Sequence, residues 1–379
     1  MADRELSRFA ATDSAYQERE GEDEPDAWRS HFERDVHRVL FSLPFRRLRH
    51  KTQVFLKPDN DHIGTRLEHA LNVQSISDTI ARNLHLDTDL VAAIAYGHDV
   101  GHAPFGHRGG EVIDEFVKEK KWLPGFSHEA QSLRVVDHLA HPSKGGLNLT
   151  FGVRDGIVCH CGEAREVTIS PARGKRHDQV AASSVPGMER PATLEGCVVR
   201  MVDRIAYLGR DLEDAITAGI IPKEDAPALV APYRRKDGSF SNGRFIGHGV
   251  SAVVGASAGK DEVSLGDIAD VITELTRFNY GTIYHSGRVR RYWDQVERML
   301  KGLLGYFREK DAELGQSNVH DKGALPCETV FLEARQQFRL GDPSSTPEQI
   351  AVDFISGMTD NFAIRAFEEL FVPRSVDVS

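Results

Sequence analysis

The sequence predicts an all-α protein. Apolar residues recur at three- and four-residue steps in segment after segment, strand signals are few, and helix-start signals stand where those segments begin. At 379 residues the chain is long enough for one large domain or two ordinary ones. With 40% hydrophobic and 27% charged residues, it has the composition of a soluble globular protein.

Residues 1–26 are polar and acidic (Glu18, Glu20, Glu22, Asp23, Glu24) and are expected to form a mobile tail. From Trp28 the pattern turns helical, with Phe32, Val36, Val39 and Leu40 on one side. Leu67, Leu71, Ile76, Ile80 and Leu84 predict a long helix that carries His69 near its start. Asp87 or Thr88 caps the next, whose buried side is Leu90, Val91, Ile94 and Ala95 and which ends near Gly97. Helices are expected over 111–122 and 129–139. The Gly- and Pro-bearing stretch 162–193 reads as a loop excursion.

Residues 193–218 predict a strong helix with Val198, Val202, Ile205 and Leu212 inward. The Gly- and Ser-rich stretch 237–263 reads as irregular. Helices resume over 265–284, 289–307 and 328–338. Thr346-Pro347-Glu348-Gln349 is a capping box with proline at the first helical position, opening a last helical region to about Leu370. The chain thus divides into a tail (1–26), a core (27–220, with the excursion 162–193) and a helical C-terminal region (221–379) packed on that core.

No apolar run approaches the length needed to cross a bilayer, and the N-terminus lacks the apolar stretch of a signal peptide. Four cysteines in a chain this long do not make a disulfide framework. A cytoplasmic protein is expected. The net charge of −10 argues against general coating of nucleic acid. Positive charge is local: Arg46, Arg47, Arg49 and Lys51 cluster shortly before Arg66. That suits a small polyanion such as a nucleotide, although a solvated helix face would look the same.

The chemistry concentrates in His98-Asp99-Val-Gly-His102-Ala-Pro-Phe-Gly-His107. The His-Asp doublet places two metal-ligand types where a helix ends, and His69 and Asp203 would complete a four-ligand set. Two imidazoles and two carboxylates suit Mg or a divalent first-row ion better than a closed structural zinc. Asp203, Tyr207 and Asp211 are spaced by four, a drift of about 40° per step, so they line one helix face. His102 and His107 follow in a Gly/Pro loop, and His128 opens a helix. Each could move protons near neutral pH, and each alone could equally be a cap or a surface group. Cys159-His160-Cys161 lacks the second ligand pair of a zinc site and reads as a loop or strand edge. No Gly-Lys-Ser/Thr phosphate loop is present.

These residues resemble one family, the HD-domain deoxynucleoside triphosphate triphosphohydrolases, called dGTPase-like. The resemblance rests on Phe45-Arg-Arg-Leu-Arg-His-Lys-Thr-Gln53-Val-Phe, Thr65-Arg66-Leu-Glu-His69, the run from His98 to His107 and Phe126-Ser-His128-Glu-Ala-Gln-Ser-Leu-Arg. It continues through Gly146-Leu-Asn-Leu-Thr-Phe, Asp203-Arg-Ile-Ala-Tyr207-Leu-Gly-Arg-Asp211-Leu-Glu-Asp and Gly357-Met-Thr-Asp-Asn-Phe-Ala, in order from about residue 28 to 372.

The resemblance implies an HD-domain helical fold with a helical C-terminal elaboration, usually a homo-oligomer. It implies that a dNTP and water give deoxynucleoside and tripolyphosphate. By position, His69, His98, Asp99 and Asp203 would bind one divalent ion (Mn, Mg, Co, Fe or Ni). His107 and His128 match the catalytic histidines, and His102 lines the phosphate side. Arg66 would contact a phosphate, Gln53 and Asp211 the 3′-hydroxyl, and Tyr207 would pack where a ribose carries its 2′-hydroxyl. One departure is that the acidic partner of His107 stands one residue late, as Glu111 in His107-Arg-Gly-Gly-Glu111, about 100° around a helix.

Two alternatives stay open. One is an HD phosphohydrolase acting on nucleoside monophosphates or signalling nucleotides. The other is a non-catalytic nucleotide- or DNA-binding regulator, against which the four intact ligands argue. Single-stranded DNA stays open as a side partner that the net charge does not favour. No membrane partner is expected.

Overall fold

A computed structural model describes residues 6–53, 64–161, 166–180, 189–284, 287–314 and 324–373. Among them α-helices dominate: α1 (His31–Leu40), α2 (Leu43–Arg47), α3 (Arg66–Leu84), α4 (Thr88–Gly97), α5 (Gly106–Glu119), α6 (His128–Arg134), α7 (Phe151–Val158), α8 (His177–Val180) and α9 (Leu194–Thr217). They continue as α10 (Asn242–Ser257), α11 (Ala269–Phe278), α12 (Gly287–Leu314), α13 (Pro326–Gly341), α14 (Pro347–Ser356) and α15 (Asp360–Phe371). The described strands are β1 (Thr168–Ile169) and β2 (Val263–Ser264), paired antiparallel with Thr168 opposite Ser264. The all-α expectation is met.

Local chemistry sets the helix starts. Thr65 and Glu68 form a reciprocal capping box on α3, and Asp87 caps α4 through the Asp89 and Leu90 amides. Ser127, Thr193 and Thr346 cap α6, α9 and α14. α5 begins at Gly106, five residues before the expected start, so His107 lies in its first turn. α6 gives way at Val135–Leu139 to a π-helical turn.

Three expectations are corrected. Residues 6–26 are packed rather than mobile. Ala10, Ala11 and Tyr16 are buried, and Tyr16 stacks on Phe151. Two of the acidic residues that suggested mobility have arginine partners: Asp23 pairs with Arg34 at 2.7 Å and Arg38 at 2.6 Å, and Glu20 with Arg154 at 2.7 Å. Residues 1–5 of that segment lie outside the described residues. Second, 237–263 is largely the 16-residue helix α10. Gly243, Gly247 and Gly255 have open space where a Cβ would sit, so they lower helix propensity without interrupting the buried side of Phe245, Gly249, Ala252 and Val253. Third, the excursion 162–193 contains β1 and α8, while its residues 162–165 and 181–188 lie outside the described residues.

The helices pack around two apolar cores. The first joins α1, α3, α4, α7, α9, α10 and α11, and includes Ile221, Val230, Phe245 and Ile283. The second joins α5 to α12–α15 through Val112, Ile113, Phe116, Leu300, Phe307, Phe331 and Phe354. Packing therefore does not divide at residue 220: residues 221–283 belong with the first core, and α5 belongs with the C-terminal helices. Between the cores, Asp353 accepts from Arg134 at 2.7 Å and Gln131 at 3.0 Å. Asp360 accepts from the Thr52 and Phe105 amides, each at 2.9 Å.

The basic cluster before Arg66 belongs to this seam. Buried Lys51 donates to the carbonyls of His102 and Ser356, and its pKa is pushed down to about 7 by burial. Arg47 donates to the Gly357 carbonyl at 3.2 Å. These cations hold backbone in place rather than line a polyanion pocket.

Candidate active site

α4 is apolar on all sides and buried, which fixes its C-terminus deep in the protein. There the His98 ring Nδ1 lies 2.7 Å from the Ala95 carbonyl. A carbonyl only accepts, so Nδ1 carries the hydrogen and the Nε2 lone pair points away from the helix. Past Asp99 the chain turns tightly against α6. A Cβ on Gly101 would stand 2.1 Å from the Ser132 amide nitrogen, so glycine is required there. The turn is fastened where Ser132 Oγ donates to the His98 carbonyl at 2.6 Å and the Gly101 amide donates to Ser132 Oγ at 3.0 Å.

α3 and α9 bring the remaining groups. His69 Nε2 lies 2.8 Å from Asp203 Oδ1 and 3.4 Å from His98 Nε2. His98 Nε2 is 3.5 Å from Asp99 Oδ2 and 3.9 Å from Asp203 Oδ1. Donors about 2.0–2.2 Å from one ion, at bond angles of roughly 90–180°, stand about 2.8–4.4 Å apart, so these spacings fit a mixed N/O cation site. Arg66, in the first turn of α3, pairs with Asp99 Oδ2 at 2.6 Å. Burial would raise the Asp99 carboxyl, but Arg66 and the surrounding histidines hold it well below the usual range.

Beyond this group the histidines continue as a chain of rings. Centroids are 4.9 Å apart for His98–His160, 5.2 Å for His160–His128, 4.6 Å for His128–His102 and 5.1 Å for His102–His107. His107 is pushed down to about 3 by burial and then by the Arg66 cation, so its imidazole is neutral at pH 7. His102 is likewise well below its ordinary value, by burial and Arg66.

Gln53, Arg66, His69, Asp99, His107, His128, Cys161, Asp203, Tyr207, Tyr280 and Tyr284 line one cavity of about 440 Å³. A neighbouring cleft of about 640 Å³ shares Gln53, His69 and Tyr207. Asp211 lies just behind the wall. Its Oδ2 accepts from Tyr284 Oη at 2.5 Å, and burial pushes its pKa up to about 7. Several buried polar atoms here have no partner among the described residues: Gln53 Oε1, Arg66 Nε, His102 Nε2 and Asp211 Oδ1. Such atoms are costly unless a ligand meets them.

The structure thus brings together His69, His98, Asp99, Asp203, His102, His107, His128, Gln53, Arg66, Tyr207 and Asp211. It does not bring Glu111. That carboxylate is 54% exposed on α5 and pairs with Arg108 at 3.0 Å, because the extra glycine carries it round to the outer face. The buried acid beside the histidines is Glu129, 3.5 Å from His128 Nδ1. Burial would raise it, but His128, His160 and a hydrogen bond from Cys161 together hold it down to about 2.

His160 stands in irregular chain just past α7, as its loop reading has it, but it is buried and faces His128 with their Nε2 atoms 3.3 Å apart. Its signal lay in the buried helix that precedes it. Tyr280 and Tyr284 come from a π-helical turn more than seventy residues after Asp203 and carried no local signal.

An HD domain model matches residues 66–208, and a phosphohydrolase-associated domain model matches 266–369. The chain is 38% identical over 370 residues to a deoxyguanosinetriphosphate triphosphohydrolase-like protein of Caldanaerobacter subterraneus subsp. tengcongensis, covering 97% of this chain and 93% of that protein. It is 34% identical over 372 residues to the protein of the same description from Desulfatibacillum aliphaticivorans, covering 97% and 95%. No described helix is long and apolar enough to cross a membrane.

Proposed function

The chain belongs to the deoxyguanosinetriphosphate triphosphohydrolase-like family of HD-domain phosphohydrolases, and from that premise we propose that it hydrolyses deoxynucleoside triphosphates to deoxynucleoside and tripolyphosphate. The observation that carries this reading is the grouping of His69, His98, Asp99 and Asp203 in a cavity also lined by Arg66, His107 and Tyr207. A divalent ion of the Mn, Mg, Co, Fe or Ni class held by those four residues would supply an activated water and neutralise charge on a phosphoryl oxygen.

The chain's own groups account for the rest. Arg66 keeps one guanidinium nitrogen on Asp99 and leaves Nε for a phosphate oxygen. Water attacks the α-phosphorus, the bond to the 5′-oxygen breaks, and His107 delivers a proton to that oxygen. In the free site His107 is neutral, chiefly through burial and Arg66. A triphosphate polyanion beside it would offset the Arg66 charge and raise its pKa, so the proton comes with the substrate. His102 and His128 flank it on the phosphate side. Asp211 Oδ1 is a buried acceptor without a partner among the described residues, suited to the hydrogen of a 3′-hydroxyl, and the Gln53 amide, whose Oε1 is likewise unpartnered there, can donate N–H to the hydroxyl oxygen. Tyr207 walls off the space a ribose 2′-hydroxyl would need. The homo-oligomer and cytoplasmic setting implied by the family resemblance belong to the same proposal.

The test is chromatography of the products from all four dNTPs and all four NTPs, with Mn, Mg and Co. Tripolyphosphate from dNTPs, with NTPs slower, is the expected result. Turnover of monophosphates with release of orthophosphate would replace the reading with the monophosphatase alternative.

A further inference from the structure

We propose that Asp360 is a positioning residue for His107, holding the turn that aims this imidazole from across the seam between the two cores. The inference rests on the proposed reaction, in which His107 protonates the 5′-oxygen. Asp360 belongs to Gly357-Met-Thr-Asp360-Asn-Phe-Ala, a run to which that reaction gives no task. Thr359 caps α15 by accepting from the Phe362 amide, which fixes Asp360 as the first residue of the helix, and Asp360 is 4% exposed. Its two oxygens serve two segments. Oδ2 accepts from the Thr52 amide at 2.9 Å and from the Thr52 hydroxyl, and Oδ1 accepts from the Phe105 amide at 2.9 Å. Thr52 precedes Gln53, and Phe105 stands two residues before His107.

The turn at Phe105 needs that hold. Phe105 has φ 63°, a left-handed conformation that a bulky side chain rarely adopts, and Gly106 follows at φ 67°. Residues kept in such a conformation persist only where their surroundings determine them, and they gather at functional sites. Phe105 is the N-cap of α5 and makes no side-chain capping bond, so its side chain does not fix where the helix begins. Its ring is buried in the second core, and its amide is tied to Asp360. The other side of the turn is closely packed: a Cβ on Gly106 would stand 2.9 Å from the Gln53 carbonyl oxygen. The 51–53 segment is joined in turn to the start of α3, where the Arg66 amide donates to the Lys51 carbonyl at 3.1 Å. One carboxylate thus clamps the His107 turn against the segment that carries Gln53 and abuts Arg66. His107 is the second residue of α5, so relaxation of the turn swings its ring off the 5′-oxygen. A displacement of about 1 Å at a reacting group can slow a reaction by about 100-fold.

The test is a double-mutant cycle in kcat, on the nucleotide that the wild type turns over, with Asp360→Asn and His107→Ala singly and together. Asp360→Asn keeps the size and the helix start but presents an N–H to one of the two segments, donor against donor. It should lower kcat by about 10–100-fold in the wild-type background, with metal content unchanged. In His107→Ala, already slower by about 10²–10⁴-fold, it should cost less than about threefold, because no imidazole is left to aim. A bond that only supports the fold would slow both backgrounds by the same factor, so equal losses overturn the proposal, as does an unchanged kcat in Asp360→Asn. Should Asp360→Asn fail to fold, Thr52→Val, which takes only the hydroxyl from Oδ2, runs the same cycle. Losses of about 3–10-fold in the wild type and under about twofold in His107→Ala are then expected; no loss, or equal losses, overturns the proposal. Products other than tripolyphosphate overturn the substrate reading alone, and the cycle still decides on Asp360. A wild-type rate in His107→Ala overturns the assigned proton donor and this inference with it.

Discussion

Replacing Asp211 with alanine should remove most of the protein's response to a sugar 3′-hydroxyl and all of its pH dependence. Asp211 Oδ1 is a buried acceptor with no partner among the described residues, while Oδ2 is held by Tyr284. Burial pushes its pKa up to about 7, so the carboxyl is neutral below pH 7 and charged above it. A hydrogen bond to a charged group contributes about 1.5–3 kcal/mol, against about 0.5–1.5 for a neutral one. At about 1.4 kcal/mol per tenfold, kcat/KM for a dNTP should exceed that for its 2′,3′-dideoxy counterpart by about 10- to 150-fold at pH 8. At pH 6 the ratio should fall to about 2- to 10-fold. Asp211→Asn keeps a neutral acceptor and should show the smaller ratio at both pH values. Asp211→Ala should leave only the few-fold preference that the Gln53 contact sustains, the same at both pH values. The Tyr284 hydroxyl it strands lowers both substrates together and cancels in the ratio. The assay is product chromatography of the preferred dNTP and its dideoxy counterpart with wild type and both variants at the two pH values. Equal wild-type turnover of the two substrates, or an Asp211→Ala loss shared equally by both, would refute the assignment.

Three further outcomes follow from the same geometry. Asp203→Ala should remove bound divalent ion and abolish turnover while circular dichroism stays helical; retention of both ion and rate places the site elsewhere. Glu111→Gln should leave turnover within about twofold, because its exposed pair with Arg108 contributes little, whereas Glu129→Gln should lower metal affinity or turnover by about 10–100-fold. The reverse ranking would return the acidic role to Glu111. Asp353→Ala takes one carboxylate from Arg134, which keeps Asp342, and should lower unfolding free energy by about 1.5–3 kcal/mol in a urea titration; a loss under about 0.5 kcal/mol would show the seam is held by packing alone.

Much of this was legible in the sequence, because helix periodicity and capping act over a few residues. The N-cap at Thr346, the ends of α4 and the length of α9 follow from local pattern. The metal-type ligands were readable because each sits at a helix end or on a helix face. What escaped depends on contacts distant in the chain. The N-terminal segment reads as mobile because the arginines that pair with Asp23 stand on α1, outside the acidic run. The Gly-rich α10 escaped because its glycines lie off the buried side. Lys51 and Arg47 looked like a polyanion patch, yet their acceptors are carbonyls some fifty to over three hundred residues away. One extra glycine before Glu111 moved it to the outer face of α5, and neither Glu129 nor His160 could be placed beside His128 without the packing of α6 on α7.

The central claim is water attack at the α-phosphorus of a dNTP, and isotope-edited phosphorus NMR tests it most directly. Hydrolysis in ¹⁸O-enriched water should place one ¹⁸O on a terminal phosphorus of tripolyphosphate and leave the 5′-hydroxyl of the deoxynucleoside unlabelled. Labelled orthophosphate or pyrophosphate, or ¹⁸O in the nucleoside, would contradict the account.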